Sequence, residues 1–170
     1  MVRHLVLLDK VHKFPGIVLA PIIIILTYYI SANWFQLSLI RGESMYPAYH
    51  NMQFVMIDKR PDRYTYGEVI TFQCDQLNSL LVKRIVACSG DQVMIQNGTL
   101  YVNDAVSEIF PEEYVFEYVG MAENAICLGK NQYFVIGDNL KESKDSRYEE
   151  VGVVGGDDIV GRIIPQIRTN

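Results

Sequence analysis

The sequence predicts an all-β, mostly antiparallel domain preceded by one N-terminal membrane-spanning helix. Three observations carry that expectation. Residues 14–40 form a run of 27 residues without Asp, Glu, Lys, Arg or His, and about 20 apolar residues cross a hydrocarbon core as a helix. Beyond that run, short apolar stretches alternate with period two, and no amphipathic pattern of three helical turns appears. Tyr, Val and Ile are plentiful while Ala is scarce, a composition that suits pleated strands.

The densest part of the uncharged run is GIVLAPIIIILTYYISANWF. Pro21 is tolerated near its first turns, and Tyr28, Tyr29 and Trp34 suit a membrane interface. A cleaved secretory leader has a shorter apolar stretch and a small-x-small site just after it; Ile30 and Ala32 stand at the nearest such positions. A buried core helix is not normally this apolar around its whole circumference. Arg3, Lys10 and Lys13 precede the run against Asp9 alone. The positive-inside rule then places residues 1–13 in the cytoplasm, 14–34 across the cell membrane and 35–170 outside, in a single-pass topology.

After the span, FQLSLI at 35–40 alternates as a half-buried strand does. Further strands are expected at 52–57, 68–72, 80–87, 92–95, 99–102, 132–136 and 159–164. Asn97-Gly98 between two of them is a two-residue hairpin signal. Residues 104–131 are more acidic and read as a small insertion, or cap, between core strands.

The net charge of −5 divides into +2 over residues 1–14 and −7 over the rest. A nucleic-acid binder needs basic patches to neutralise phosphates, so that class is excluded. Cys74, Cys88 and Cys127 lack metal-ligand spacing and read as small, partly buried hydrophobes.

Three segments offer chemistry. Ser44 lies in IRGESMYPAYH, immediately after the uncharged run, and a serine hydroxyl needs a base to become a nucleophile. His50 is near in sequence, yet six residues along a turn guarantee no contact. In LLVKRIVA, strict alternation puts Leu81, Lys83, Ile85 and Ala87 on one strand face. A lysine there either snorkels or loses solvation, and desolvation lowers its pKa towards a usable base. The third segment, GDNLKESKDSRYEEVG, packs Asp138, Asn139, Ser143, Asp145, Ser146 and Arg147 into one polar loop. An Arg and an Asp in such a loop can brace a site, and a serine can orient an amine.

Together these segments resemble the type I signal peptidase family, the bacterial leader peptidases. GESMYP resembles the nucleophile motif, LVKRIVACSGD the Lys-Arg motif, and GDNLKESKDSR the C-terminal motif. GEVITF is similar to another strand of that family. The blocks occur in the family's order and, with the anchor, span almost the whole chain.

The resemblance implies a signal-peptidase-type β domain with a small cap insertion behind one transmembrane helix. It also implies a Ser-Lys dyad endopeptidase that removes signal peptides from exported preproteins after small-x-small sites such as Ala-x-Ala. Ser44 then corresponds to the acyl-forming serine and Lys83 to the general base. Ser143 corresponds to the hydroxyl that orients the lysine, with Asp145 and Arg147 bracing the site. Ile40, Met45 and Val82 correspond to residues lining the substrate pockets, and the Ser44 N–H to the oxyanion donor. Gly42 stands where some members carry a second donor, a serine. No metal and no cofactor are implied; the partners are exported preproteins near the translocon and the lipid bilayer. Ala48, in place of Thr, and Cys88-Ser89, in place of Leu-Pro, depart from the pattern. The rivals are an organellar inner-membrane peptidase, which shares Gly-Glu-Ser-Met, a non-catalytic membrane-anchored assembly factor, and a self-cleaving repressor-type Ser-Lys domain.

Overall fold

The computed structural model describes residues 15–165, so the expected cytoplasmic segment 1–13 lies outside the described residues. The chain divides into two units, Met1–Phe35 and Gln36–Asn170. The first contains helix α1 (Pro15–Trp34), 20 residues long with no charge in its first or last turn. Leu19, the isoleucines at 22–25 and Leu26 are all exposed on it. Its side chains at 15–18, 30 and 32 lie outside the description, and among the described residues no helix is long and apolar enough to cross a membrane.

The second unit is two antiparallel sheets. In chain order the strands are β1 (Phe35–Leu39, whose first residue belongs to the first unit), β2 (Phe54–Asp58), β3 (Val69–Cys74), β4 (Ser79–Ala87), β5 (Gln92–Gln96), β6 (Thr99–Val102), β7 (Ala105–Val106), β8 (Ile126–Cys127), β9 (Gln132–Ile136), β10 (Val154–Gly155) and β11 (Ile159–Ile163). Seven form one sheet in the order β1-β2-β11-β3-β4-β9-β10, and four form the other in the order β7-β6-β5-β8. The expected antiparallel β domain is present. Residues 104–131 contribute both edge strands of the smaller sheet, β7 and β8.

The hairpin expected at Asn97-Gly98 joins β5 to β6, with Gln96 opposite Thr99. Both turn residues have positive φ, 52° and 78°, which a type I′ turn requires. Strand β2 starts at Phe54, two residues later than expected, because Met52 adopts φ 62° and breaks the alternation.

Strand β4 decides where the site falls. It lies between β3 and β9, pairing Ile70 with Lys83 on one side and Ile85 with Val135 on the other. A bulge comes next, since Ala87 rather than Val86 pairs with Phe134. A bulge inserts one residue and reverses the facing of the residues beyond it. Ile85 accordingly packs with Ile70, Phe72 and Val135, whereas Val86 and Ala87 join the core of Val93, Ile95 and Leu100 from the second sheet. The expected common face of Leu81, Lys83, Ile85 and Ala87 therefore ends at Ile85. Ile85, Val86 and Ala87 are all fully buried, and each large apolar side chain buried this way stabilises the fold by about 1.5–3 kcal/mol.

Candidate active site

Ser44 sits on the loop between β1 and β2. The loop is closed at its base by Ile40 N–H to Gln53 carbonyl and Met52 N–H to Ile40 carbonyl, both 2.9 Å. Its apolar residues Ile40, Met45 and Tyr49 are buried and pack with Val55, Val69 and Ile163, with Val82 against them. The three expected pocket residues, Ile40, Met45 and Val82, thus meet in one cluster. Between exposed Glu43 and buried Met45, Ser44 is left half-buried. Gly42 keeps the tip of the loop in a left-handed conformation, φ 89°, and donates its N–H to Asn51 Oδ1 at 3.0 Å.

Lys83 reaches this serine across 39 residues of sequence, with Nζ 2.8 Å from Ser44 Oγ. The lysine is only 3% exposed. Burial disfavours the ammonium and brings its pKa from the ordinary 10.5 down to about 8. The Asp145 carboxylate opposes that shift, Arg147 supports it, and Asp138 opposes it. His50 is exposed and packs edge-on against Tyr46, with ring centroids 5.3 Å apart. No hydrogen bond joins it to Ser44.

The loop after β9 carries the other expected residues. Ser143, Asp145, Ser146 and Arg147 are each 2% exposed or less. Arg147 grips Asp145 side-on with one edge of its guanidinium, Nε to Oδ1 at 2.7 Å and Nη2 to Oδ2 at 2.9 Å. Asp145 Oδ2 also accepts from the Ser143 hydroxyl at 2.7 Å and from the Gly137 N–H at 3.0 Å. Ser143 thus gives its proton to Asp145, and no hydrogen bond joins it to the Lys83 amine. Gly137 has to be glycine here: a Cβ would overlap Ser143 Oγ and come within 2.6 Å of the Ser44 carbonyl oxygen. That carbonyl accepts the Asn139 N–H at 3.0 Å, tying the nucleophile loop to the brace.

Sequence reasoning assigned no role to Arg84, beside Lys83. It forks onto Asp138 at 2.7 and 2.6 Å and donates to the Gly67 carbonyl at 2.9 Å, joining β4 to the loop after β9. The adjacency of Lys83-Arg84 and the Gly137-Asp138 pair were the visible signals. Among the described residues no group of His, Cys, Asp or Glu is arranged to hold a metal. The cysteines are free, with Cys74 buried and Cys88 half-buried, while Cys127 is exposed, contrary to the partly buried position expected.

A serine hydroxyl against a desolvated amine, with a buried acid–arginine brace behind them, is an arrangement suited to acyl transfer. The family model described as signal peptidase, peptidase S26, matches residues 16–166. Signal peptidase I U of Bacillus subtilis (strain 168) is 32% identical over 167 residues, 91% of this chain and 88% of that protein. Signal peptidase I P of Bacillus subtilis subsp. natto is 30% identical over 154 residues, 82% of this chain and 80% of that protein. A crystal structure of a signal peptidase I from Enterococcus faecalis V583 aligns with a TM-score of 0.48 and 21% identity, over 60% of this chain and 97% of that one. The chain belongs to the signal peptidase family, peptidase S26.

Proposed function

We propose that this chain is a membrane-anchored serine endopeptidase that removes N-terminal signal peptides from exported preproteins. The observation that carries the reading is the 2.8 Å contact between Lys83 Nζ and Ser44 Oγ in a site where the lysine is almost wholly buried. Neutral Lys83 takes the proton as Ser44 Oγ attacks the scissile carbonyl carbon. The Ser44 N–H, which has no hydrogen-bond partner among the described residues, donates to the developing oxyanion. The ammonium then returns its proton to the leaving amine, and the same amine activates the water that hydrolyses the acyl-enzyme. Ser143, hydrogen-bonded to Asp145, keeps lone pairs that can receive an N–H of the amine and aim it.

The specificity is a matter of packing. Ile40 and Met45 are 4% and 1% exposed, and in this reading they and Val82 form the apolar surface that receives the small, Ala-sized side chains of the substrate. The anchor is a matter of sequence alone: 27 uncharged residues flanked by basic ones. In this reading residues 1–13 are cytoplasmic, 14–34 cross the membrane and 35–170 are extracytoplasmic. A translocated precursor held by its own apolar segment then shares the bilayer with the enzyme, which raises its effective concentration.

Incubating the detergent-solubilised full chain with a preprotein that carries one Ala-x-Ala site tests the proposal. The expected new N-terminus is the residue after the second small side chain. An intact preprotein, or cleavage elsewhere, contradicts it.

A further inference from the structure

Residues 104–131 do more than extend the second sheet. One stretch of them, residues 116–121, lies directly on Arg147. The Tyr118 carbonyl accepts from Arg147 Nη1 at 3.2 Å. The Met121 N–H donates to the Arg147 carbonyl at 2.9 Å. The Phe116 ring, itself buried in the second core, has its centroid 5.5 Å from the guanidinium carbon, within the range of a cation–π contact. Gly120, at φ 52°, permits this approach, because a Cβ there would overlap the Arg147 carbonyl oxygen and lie 2.8 Å from Tyr118 Cε1. Tyr118 in turn stacks on Tyr148, centroids 4.4 Å apart.

Arg147 is the hub from which the brace is built. Nη2 also donates to the Leu140 and Ser143 carbonyls, at 3.1 and 3.3 Å, so one guanidinium fixes the course of the loop as well as the Asp145 carboxylate. We propose that residues 116–121 form a positioning clasp for the serine–lysine pair. They seat Arg147 on Asp145 and thereby fix the loop that holds Ser143 and the Ser44 carbonyl. Phe116 and Gly120 are positioning residues in this scheme, since they touch neither Ser44 nor Lys83. The inference rests on Lys83 being the base.

The charges around Lys83 give the clasp a distinctive readout. Asp145, Arg147 and Asp138 approach from the loop after β9, with Arg84 of its own strand locking Asp138. From β3 comes apolar Ile70. The Ser44 loop supplies the hydroxyl, with Arg41 and Glu43 exposed; on the brace loop Lys144 pairs with Glu150. Loosening Arg147 withdraws a cation that disfavours the ammonium and leaves the Asp145 charge less countered. Both changes favour protonated Lys83.

The test is the pH dependence of kcat/KM for the full chain in detergent, with a peptide substrate bearing an Ala-x-Ala site. Phe116→Leu, which keeps apolar volume but removes the ring, and Gly120→Ala are compared with Ile95→Val in the same core. In the two clasp variants the acidic limb is expected to move to higher pH by on the order of 0.5–1 unit, with kcat lowered, KM little changed and the rate recovering in alkali. Ile95→Val leaves the limb in place. Should Gly120→Ala fail to fold, Phe116→Leu carries the test alone. A limb unmoved in a folded clasp variant overturns the clasp. If Lys83→Ala leaves the limb of its residual activity where the unaltered chain has it, the lysine reading fails instead.

Discussion

Lys83→Ala is expected to leave a folded protein that has lost nearly all cleavage activity. General-base assistance is worth roughly 10²–10⁴-fold, and here one amine serves both proton transfers. Ser44→Ala is expected to be at least as damaging, because among the described residues no other hydroxyl is hydrogen-bonded to the amine. The fold should tolerate both changes. Alanine at 83 removes an ammonium whose burial disfavours the folded state, as its lowered pKa records. His50→Ala is expected to be nearly silent, since the imidazole is exposed and makes no hydrogen bond to the serine. Initial rates with far-UV circular dichroism separate lost chemistry from lost structure. A fully active Lys83→Ala beside an inactive His50→Ala would replace the lysine mechanism with a histidine one.

The largest effect on stability is expected at Arg147. Arg147→Met leaves the Asp145 carboxylate, 0% exposed, without its cation, and breaking one side of a buried pair destabilises by about 3–5 kcal/mol. Urea denaturation of the solubilised chain should register that loss. The double variant Arg147→Met/Asp145→Leu removes the stranded charge and is expected to recover much of the stability. Its activity should stay low, because Ser143 and the Gly137 N–H have then lost the acceptor that places them. By contrast the Lys141–Glu117 pair, with side chains 78% and 74% exposed, belongs to the class of surface pairs worth about 0–1 kcal/mol. Lys141→Met should be hard to distinguish from the parent. An Arg147→Met protein as stable as the parent would mean that Asp145 finds water or a proton instead.

How much could be read from sequence depends on the range of the interaction concerned. The β5–β6 hairpin is a local matter of Asn97-Gly98, and the alternation that buries Lys83 is a local matter of β4. Both were legible. The bulge at Val86 was not, because its cause lies in two cores that claim neighbouring residues of the same strand. Two-residue strands such as β7, β8 and β10 carry too little pattern to register. The approach of Ser44 to Lys83 spans 39 residues, and alternation alone could not have paired them; the three motifs, taken together, pointed to it. The clasp on Arg147 was out of reach altogether. Its Tyr118 acceptor is a backbone carbonyl 29 residues away, and a main-chain oxygen leaves no mark on residue identity.

The central claim is that Lys83, neutral at working pH, takes the proton of Ser44. The pH dependence of kcat/KM for the free enzyme tests it most directly. With its pKa brought to about 8 by burial, Lys83 is mostly protonated below that pH and neutral above it. Activity is therefore expected to rise with pH through an apparent pKa near 8, and the residual activity of Lys83→Ala should lack that limb. A limb near the aqueous lysine value of about 10.4, or one that persists unchanged in Lys83→Ala, would contradict the account.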